Sequence, residues 1–422
     1  SKVAYKRGLG YAAGTTGARL DEARRSIFDF MTANQRTDVR ARTKMVDVTA
    51  SLQNAWASGE AIELGAGDYR LDGAISSAVI PNMIGQGRGI TRLYSYLSSG
   101  VAMTFDRAPS TDENVTLKDF ALIGQGISIG SAVGLRVEGA VWNTSEVARI
   151  LVTGFGGTGV EIIDCLTAEF VAIRSQGNGG KGFHVEKSNG VKLVRCMAES
   201  NRSDGYYWSN TGSASERFGA GMDFCHAEEN AGHAISCNET VGLQIMGGWL
   251  QVSGLNPATG LPSAQTFAGI SLDNTQRVQI FGPVITTGGT VTNLIGLSLS
   301  GALYGTFDGA MTGFAAGRDV IATASSGRNI VRGSGSGSQS ALSYTDSSST
   351  GNVYINHLGS GSAYGMESAA GYHQFKTPGG TSLARFASGV IQLLTLPTSA
   401  SGLPAGALWR DAAASNVVKI VP

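Results

Sequence analysis

Neither sign of charge is in excess in this 422-residue chain: 32 Lys and Arg stand against 32 Asp and Glu, and charged residues make up only 15%. Binders of nucleic acid or of anionic membranes draw affinity from a basic surplus, so no nucleic-acid partner and no membrane insertion are expected. Cysteine is scarce as well. Cys165, Cys196, Cys225 and Cys237 form no CxxC pair and fall in one central stretch. They read as buried free thiols, small apolar fillers suited to a protein made in a reducing cytoplasm. No apolar run approaches the ~18 residues of a membrane span, and no signal peptide opens the chain. The chain begins Ser-Lys rather than Met, and a segment upstream of it is expected.

Familiar catalytic signatures are missing too. There is no GxSxG elbow, no HExxH, no P-loop, and no GxGxxG that opens a helix. GQGRG at 85–89 is a weak glycine match in a strand context, and His184, His226, His233, His357 and His373 are scattered. No cofactor and no metal is expected.

What the chain has is glycine: 60 residues, roughly double the ordinary usage of ~7%. With few helix-forming runs, this predicts many short strands and tight turns. A repeat organises them. Coils begin at Gly134, Gly159, Gly182, Gly205, Gly232, Gly269 and Gly296, with spacings of 25, 23, 23, 27, 37 and 27 by subtraction. GVEIIDCLTAEFVAIRSQGNGGK (159–181) lies over GFHVEKSNGVKLVRCMAESNRSD (182–204) without a gap, so Val160 meets Phe183, Ile162 meets Val185 and Phe170 meets Leu193. Alternation of period two turns every second side chain inward. One coil further on, Cys225 falls over Cys196 and Ala227 over Ala198, while Asn178, Asn201 and Asn230 share a single corner. Asn suits such a corner because its amide can bond the next coil. A coil of this length cannot bury its apolar side alone, and stacking buries it. The fold class predicted is therefore all-β: a right-handed, single-stranded parallel β-helix of at least seven coils.

The ends differ from the middle. Residues 19–35 show helical amphipathicity, and 47–59 read as a helix with Leu52, Ala55 and Trp56 on one face, a cap for the open core. A strand, a Gly turn and a strand occupy 60–75; 84–95 and 114–124 read as early coils. Past residue 333 comes a Gly/Ser-rich stretch, and 374–398 read as β-hairpins. The boundaries read are 1–46 for an N-terminal neck, 47–335 for the β-helix and 336–422 for a C-terminal β-rich tail.

The segment RSIFDFMTANQRTDVRARTKMVDVTASLQNAWASGEAIELGAGDYRL (25–71) resembles the opening of the pectate-lyase-like β-helix in phage tailspikes and tail fibres. Gly65, Ala66, Gly67, Asp68 and Tyr69 stand where that family carries a Pro-Ala-Gly-x-Tyr turn, with the proline replaced. LPTSASGLPAGALWRD (396–411) and VVKIV (417–421) resemble a common ending of phage tail proteins. The resemblance implies a homotrimer with a C-terminal trimerising unit, attachment to the phage baseplate or tail through the upstream part, and a place in the virion tail. It also implies a bacterial surface polysaccharide, capsule or lipopolysaccharide O-antigen, as partner and often as substrate.

Hydrolysis of a glycosidic bond needs two carboxyl groups, one to protonate the leaving oxygen and one as base or nucleophile. In the coil alignment Glu199 and Glu228 share one outward column one coil apart, with Gln176 before them, and Asp204 and Asp223 lie on adjoining corners or strands. These four are the candidate catalytic residues. A second column, Glu146, Glu169 and Lys192, is the runner-up. The coils that follow carry insertions at 209–219 and 251–267, which a solenoid projects as groove-walling loops. Tyr207, on an outward column with Arg136, Glu161 and His184, joins His184, His226, Trp249, Arg174 and Arg202 as candidate substrate-binding residues; Trp208 should pack inward with Val185. A lyase would use a base and a uronate-neutralising cation, for which Arg174, Arg202, His226 and Tyr207 are available. A purely receptor-binding or structural fibre is the reading without chemistry.

Overall fold

The computed structural model describes residues 25–77, 82–106, 116–139, 146–209, 220–253, 266–288, 293–315, 318–323, 326–327 and 329–334, Ser401, and the strands Tyr344–Asp346, Val353–Asn356, His373–Lys376, Ser382–Ala387, Val390–Leu393, Leu408–Asp411 and Val417–Ile420. Each central coil is three short strands: a leading strand such as Phe183–Glu186, a middle strand such as Lys192–Val194, and a closing strand such as Met197–Glu199. Leading strands stack into an 11-stranded sheet, while middle and closing strands belong to one of 21 strands, all paired in parallel within the solenoid. Val160 pairs with Phe183, Ile162 with Val185 and Phe170 with Leu193, the register that the repeat predicts.

Every second side chain enters one continuous dry core. Phe183 and Tyr206 stack with ring centroids 5.0 Å apart, and Trp208 is buried with its Nε1–H directed at Met222 Sδ, 3.3 Å away. The four cysteines are buried and form no disulfide, as expected. The Cys196 and Cys225 thiols donate to the carbonyls of Phe170 and Leu193 in the preceding coil.

Two backbone devices close each coil. Between middle and closing strand a single residue takes the left-handed conformation: Arg149, Ala172, Arg195, Phe224 and then Gly247, all with φ between 51° and 61°. A non-Gly residue there costs on the order of 1 kcal/mol, offset because its N–H donates across to the next coil, as Ala172 does to Val194 and Arg195 to Asp223 at 2.8 Å. At the corner before the leading strand, Asn178 Nδ2 donates to Asn201 Oδ1 at 3.0 Å, Asn201 Nδ2 to Asn230 Oδ1 at 2.9 Å, and Asn230 Nδ2 to the Ala198 carbonyl at 2.8 Å. This ladder explains the repeated glycine. A Cβ on Gly159, Gly182 or Gly205 would sit 2.5, 2.8 or 2.9 Å from the amide nitrogen of Asn178, Asn201 or Asn230. The next coil begins differently: Tyr206 pairs with Ile235, so Ala234 stands in the glycine slot and the expected start at Gly232 is two residues early. Ala234 follows the last Asn of the ladder, where no further asparagine amide crowds the position.

The helix Thr49–Ala57 caps the core through Leu52, Ala55 and Trp56, as predicted. The first helix is displaced from its expected place at 19–35 to Ala33–Ala41. Thr32 Oγ1 accepts from Gln35 N–H and Gln35 Oε1 from Thr32 N–H, a capping box that fixes the start, and Arg42 at φ 60° ends the helix. In the opening turn the Tyr69 hydroxyl donates to the Gly65 carbonyl at 2.8 Å. Parallel pairing continues through Tyr344–Asp346 and Val353–Asn356, and the strands from His373 onward pair antiparallel, with hairpin partners.

Candidate functional site

Closing strands carry the predicted acid pair. Ser175, Ala198, Ala227 and Leu250 stack inward, so their neighbours face out in two columns: Arg174, Met197, His226 and Trp249 in one, Gln176, Glu199 and Glu228 in the other. Glu199 and Glu228 are therefore in register on adjacent coils, whose backbones lie ~4.8 Å apart. Arg174 Nη2 pairs with Glu199 Oε2, and Gln176 Nε2 donates to Glu199 Oε1 at 3.3 Å. Arg174 Nε is buried with no hydrogen-bond partner. The His226 ring meets Trp249 edge-on at 6.5 Å, and Trp249 is 38% exposed.

Asp223 ends the middle strand of the coil that carries Glu228, in a column with Val194 and Met246. Beside it Phe224, placed by the left-handed bend, is 62% exposed and lies against Gly247, where a Cβ would be 2.8 Å from the ring. Sequence reasoning missed Phe224 because the alternating pattern assigns no direction to a bend residue. The insertions leave after Ser209 and Ser253; residues 210–219 and 254–265 lie outside those described. The runner-up column is an ion-pair network. Glu146 pairs with Lys118 and, at 3.3 Å, with Arg149, which also holds Asp119 at 2.7 Å. The Lys118 ammonium keeps the Glu146 carboxyl below its ordinary range.

The remaining candidates sit across the corner at residues 200–205. Arg202 lies in that corner, its N–H donating to the Asn178 carbonyl at 2.8 Å. Arg136, Glu161, His184 and Tyr207 form one outward column on the leading strands, as expected. Arg136 pairs with Glu161 at 2.7 Å, and the His184 ring stands 5.2 Å from that of Tyr207, tilted. A second column runs just before the leading strands: Lys181, Asp204 and His233, linked by Gly182 N–H to Asp204 O and Gly205 N–H to His233 O, both at 2.9 Å. Asp204 Oδ1 accepts the His233 backbone N–H at 2.8 Å, and His233 Nδ1 accepts from Ala268 N–H at 2.8 Å. Burial raises the Asp204 carboxyl above its usual range against the pull of His233, and it lowers Lys181 and His233. Burial also pushes His184 down to about 4, aided by Lys181 and Arg136. Lys181 and His233 escaped the sequence reading. With the fifth coil started at Gly232, His233 falls out of line with Lys181 and Asp204; starting it at Ala234 shows the column.

Among the described residues, no three His, Cys, Asp or Glu side chains gather as a metal site, and no helix is long and apolar enough to cross a membrane. The cavity beneath the cap is lined by Leu52, Trp56, Ile62 and Met83 together with Glu60 and Asn82, and it belongs to other coils than the acids. Both candidate clusters lie on open sheet faces and a corner, a geometry that accepts an extended chain along the axis rather than an enclosed small molecule.

Three short strands per coil, two parallel sheets and a shared dry core define a single-stranded parallel β-helix. No known protein family matches the sequence, and neither does any curated protein. Among solved structures, the chain is similar to ORF18 of Geobacillus virus E2, with 14% identity and a TM-score of 0.60 over 96% of this chain and 87% of that one. It is also similar to the gp42 tailspike of an Acinetobacter phage, with 11% identity and a TM-score of 0.55 over 92% of this chain and 72% of that one. The enzymatically active domain of bacteriophage CBA120 tailspike protein 2 aligns at 15% identity with a TM-score of 0.43, over 74% of this chain and 41% of that one, so this chain spans less than half of that protein. The chain shares the parallel β-helix fold of these phage proteins.

Proposed function

We propose that the chain is a phage tailspike of the virion tail that binds a bacterial surface polysaccharide, capsule or O-antigen, and hydrolyses its glycosidic bonds with Glu199 and Glu228. The observation that carries the reading is their register: two outward carboxylates on adjacent coils of a rigid sheet, one of them clamped by Arg174. Glycoside hydrolysis takes such a pair. The clamp positions Glu199 as base or nucleophile and leaves Glu228, which no described cation pairs, to protonate the leaving oxygen. The exposed Trp249 and Phe224 rings offer apolar faces to the sugar. Asp223 lies on the same coil as Glu228 and supports the pair electrostatically. In this reading copies associate as a homotrimer and an upstream segment joins the phage tail.

Purified protein offered a panel of capsular and O-antigen polysaccharides should release oligosaccharides from one of them without the ultraviolet absorbance of an unsaturated uronate. Product carrying that absorbance would replace hydrolysis by β-elimination, and binding without any product would leave a receptor-binding fibre.

A further inference from the structure

Lys181 is a half-buried cation with no carboxylate in ion-pair contact among the described residues; Asp204, Glu161 and Glu186 attract it only from further off. Its ammonium lies 3.8 Å from the centre of the Tyr207 ring. The carboxylates around it are engaged elsewhere. Glu161 is held by Arg136 at 2.7 Å, Glu186 stands 3.8 Å from both Lys187 and His184 Nε2, and Asp204 accepts the His233 N–H. His184 Nε2 also lies 3.3 Å from Ser209 Oγ. Removing an ammonium from water costs several kcal/mol unless a partner compensates, and a ring face compensates only in part. The direct partner still lacking is an anion approaching from outside the sheet, where Tyr207 gives one wall and the His184 ring stands beside it.

We propose that Lys181 is the cation that recognises an anionic substituent of the polysaccharide, so that the glycan taken by this chain is acidic. The inference rests on the polysaccharide reading above and narrows its substrate class. The site is separate from the acid pair: Glu199 closes the strand before the corner at 200–205, while Lys181 and Tyr207 flank the leading strands after it. Lys181 binds and does no chemistry, so its loss should appear in affinity and KM and leave kcat nearly unchanged.

The test measures binding of the full chain to the polysaccharide it takes from the panel and to two stripped forms of that polymer, one carboxyl-reduced and one dephosphorylated. Wild type should lose about tenfold or more in affinity for whichever form has lost the recognised group, the scale of a hydrogen-bonded charge pair. Lys181→Met should bind the native polymer with the same loss and be indifferent to stripping, while Lys181→Arg retains most of the affinity; thermal melts of both variants verify folding. The inference is overturned if wild type binds native and stripped polymers alike, or if Lys181→Met binds the native polymer as tightly as wild type. Should wild type bind nothing on the panel, the polysaccharide reading itself fails, and this inference with it.

Discussion

Two flanks of one corner carry the outward chemistry of this solenoid, and they treat charge in opposite ways. On the closing strands Glu199 and Glu228 stand on an open sheet face, with Arg174 and Gln176 beside them and exposed aromatic rings nearby. Past the corner, Lys181, His184, Asp204 and His233 are half-buried, and desolvation is the main cause moving each from its ordinary pKa. The backbone repeat is the same on both flanks. Exposure alone does not separate them, since the Glu199 side chain is 19% exposed and that of His184 17%; what differs is the partner each charge is given, and in the proposed reading this separates a reactive pair from a recognition site.

The sharpest way to break that division is to neutralise one flank at a time. Glu228→Gln should cut hydrolysis by about 10²- to 10⁴-fold, the worth of a general acid, and Glu199→Gln by a similar factor, both with unchanged polymer binding. Asp204→Asn should lower turnover less than tenfold; the reverse ranking, measured by reducing-end release, would move the chemistry across the corner.

The next effect is structural and underlies both flanks. Asn201→Ala removes the acceptor of the Asn178 side chain and backbone N–H and the donor to Ser175 O and Asn230 Oδ1. Stranding buried donors costs about 1–3 kcal/mol each, so denaturant titration should show a loss of about 3 kcal/mol or more. A loss below ~1 kcal/mol would mean that the ladder only decorates the corner.

Acid should act on the recognition flank more gently. His184 titrates at about 4 in the fold against 6.5 when free, so the unfolded chain takes up more protons between those values. Stability from this group is present above pH 6.5 and lost as pH falls toward 4. His233 acts in the same sense, and Asp204, raised by burial, in the opposite one. His184→Gln should flatten the fall of melting temperature over that window; an unchanged profile would show that His184 is not withdrawn from water. Smallest of all, Glu146→Gln breaks an exposed network and should cost about 0–1 kcal/mol.

The fold was legible in the sequence because stacking repeats its demands. The inward alternation at Val160, Phe183 and Tyr206, the Asn corner and the Cys196 and Cys225 thiols each recur in register. What escaped were features set by single positions. The helix at Ala33–Ala41 depends on the Thr32–Gln35 capping box inside a weakly amphipathic stretch. The two-residue slip at Gly232 arises because Ala234 can fill the slot where the ladder ends, and it hid His233 from the Lys181 column. Of the candidate site, the outward columns could be read, since a strand fixes the direction of its side chains. Desolvation of Lys181 and exposure of Phe224 could not, because they depend on the corner and the bend.

The amide ladder also has a mechanical meaning. It runs from the backbone of Phe155 through Asn178 and Asn201 to Asn230, bridging the rungs that bear Glu199, Glu228, Lys181 and Asp204. A tug along the axis must stretch these side-chain bonds together with both sheets, which stiffens the rungs that bear the proposed groups. Spacing between groups on successive rungs is thereby fixed like marks on a ruler, and a polymer of matching repeat can be gauged against it.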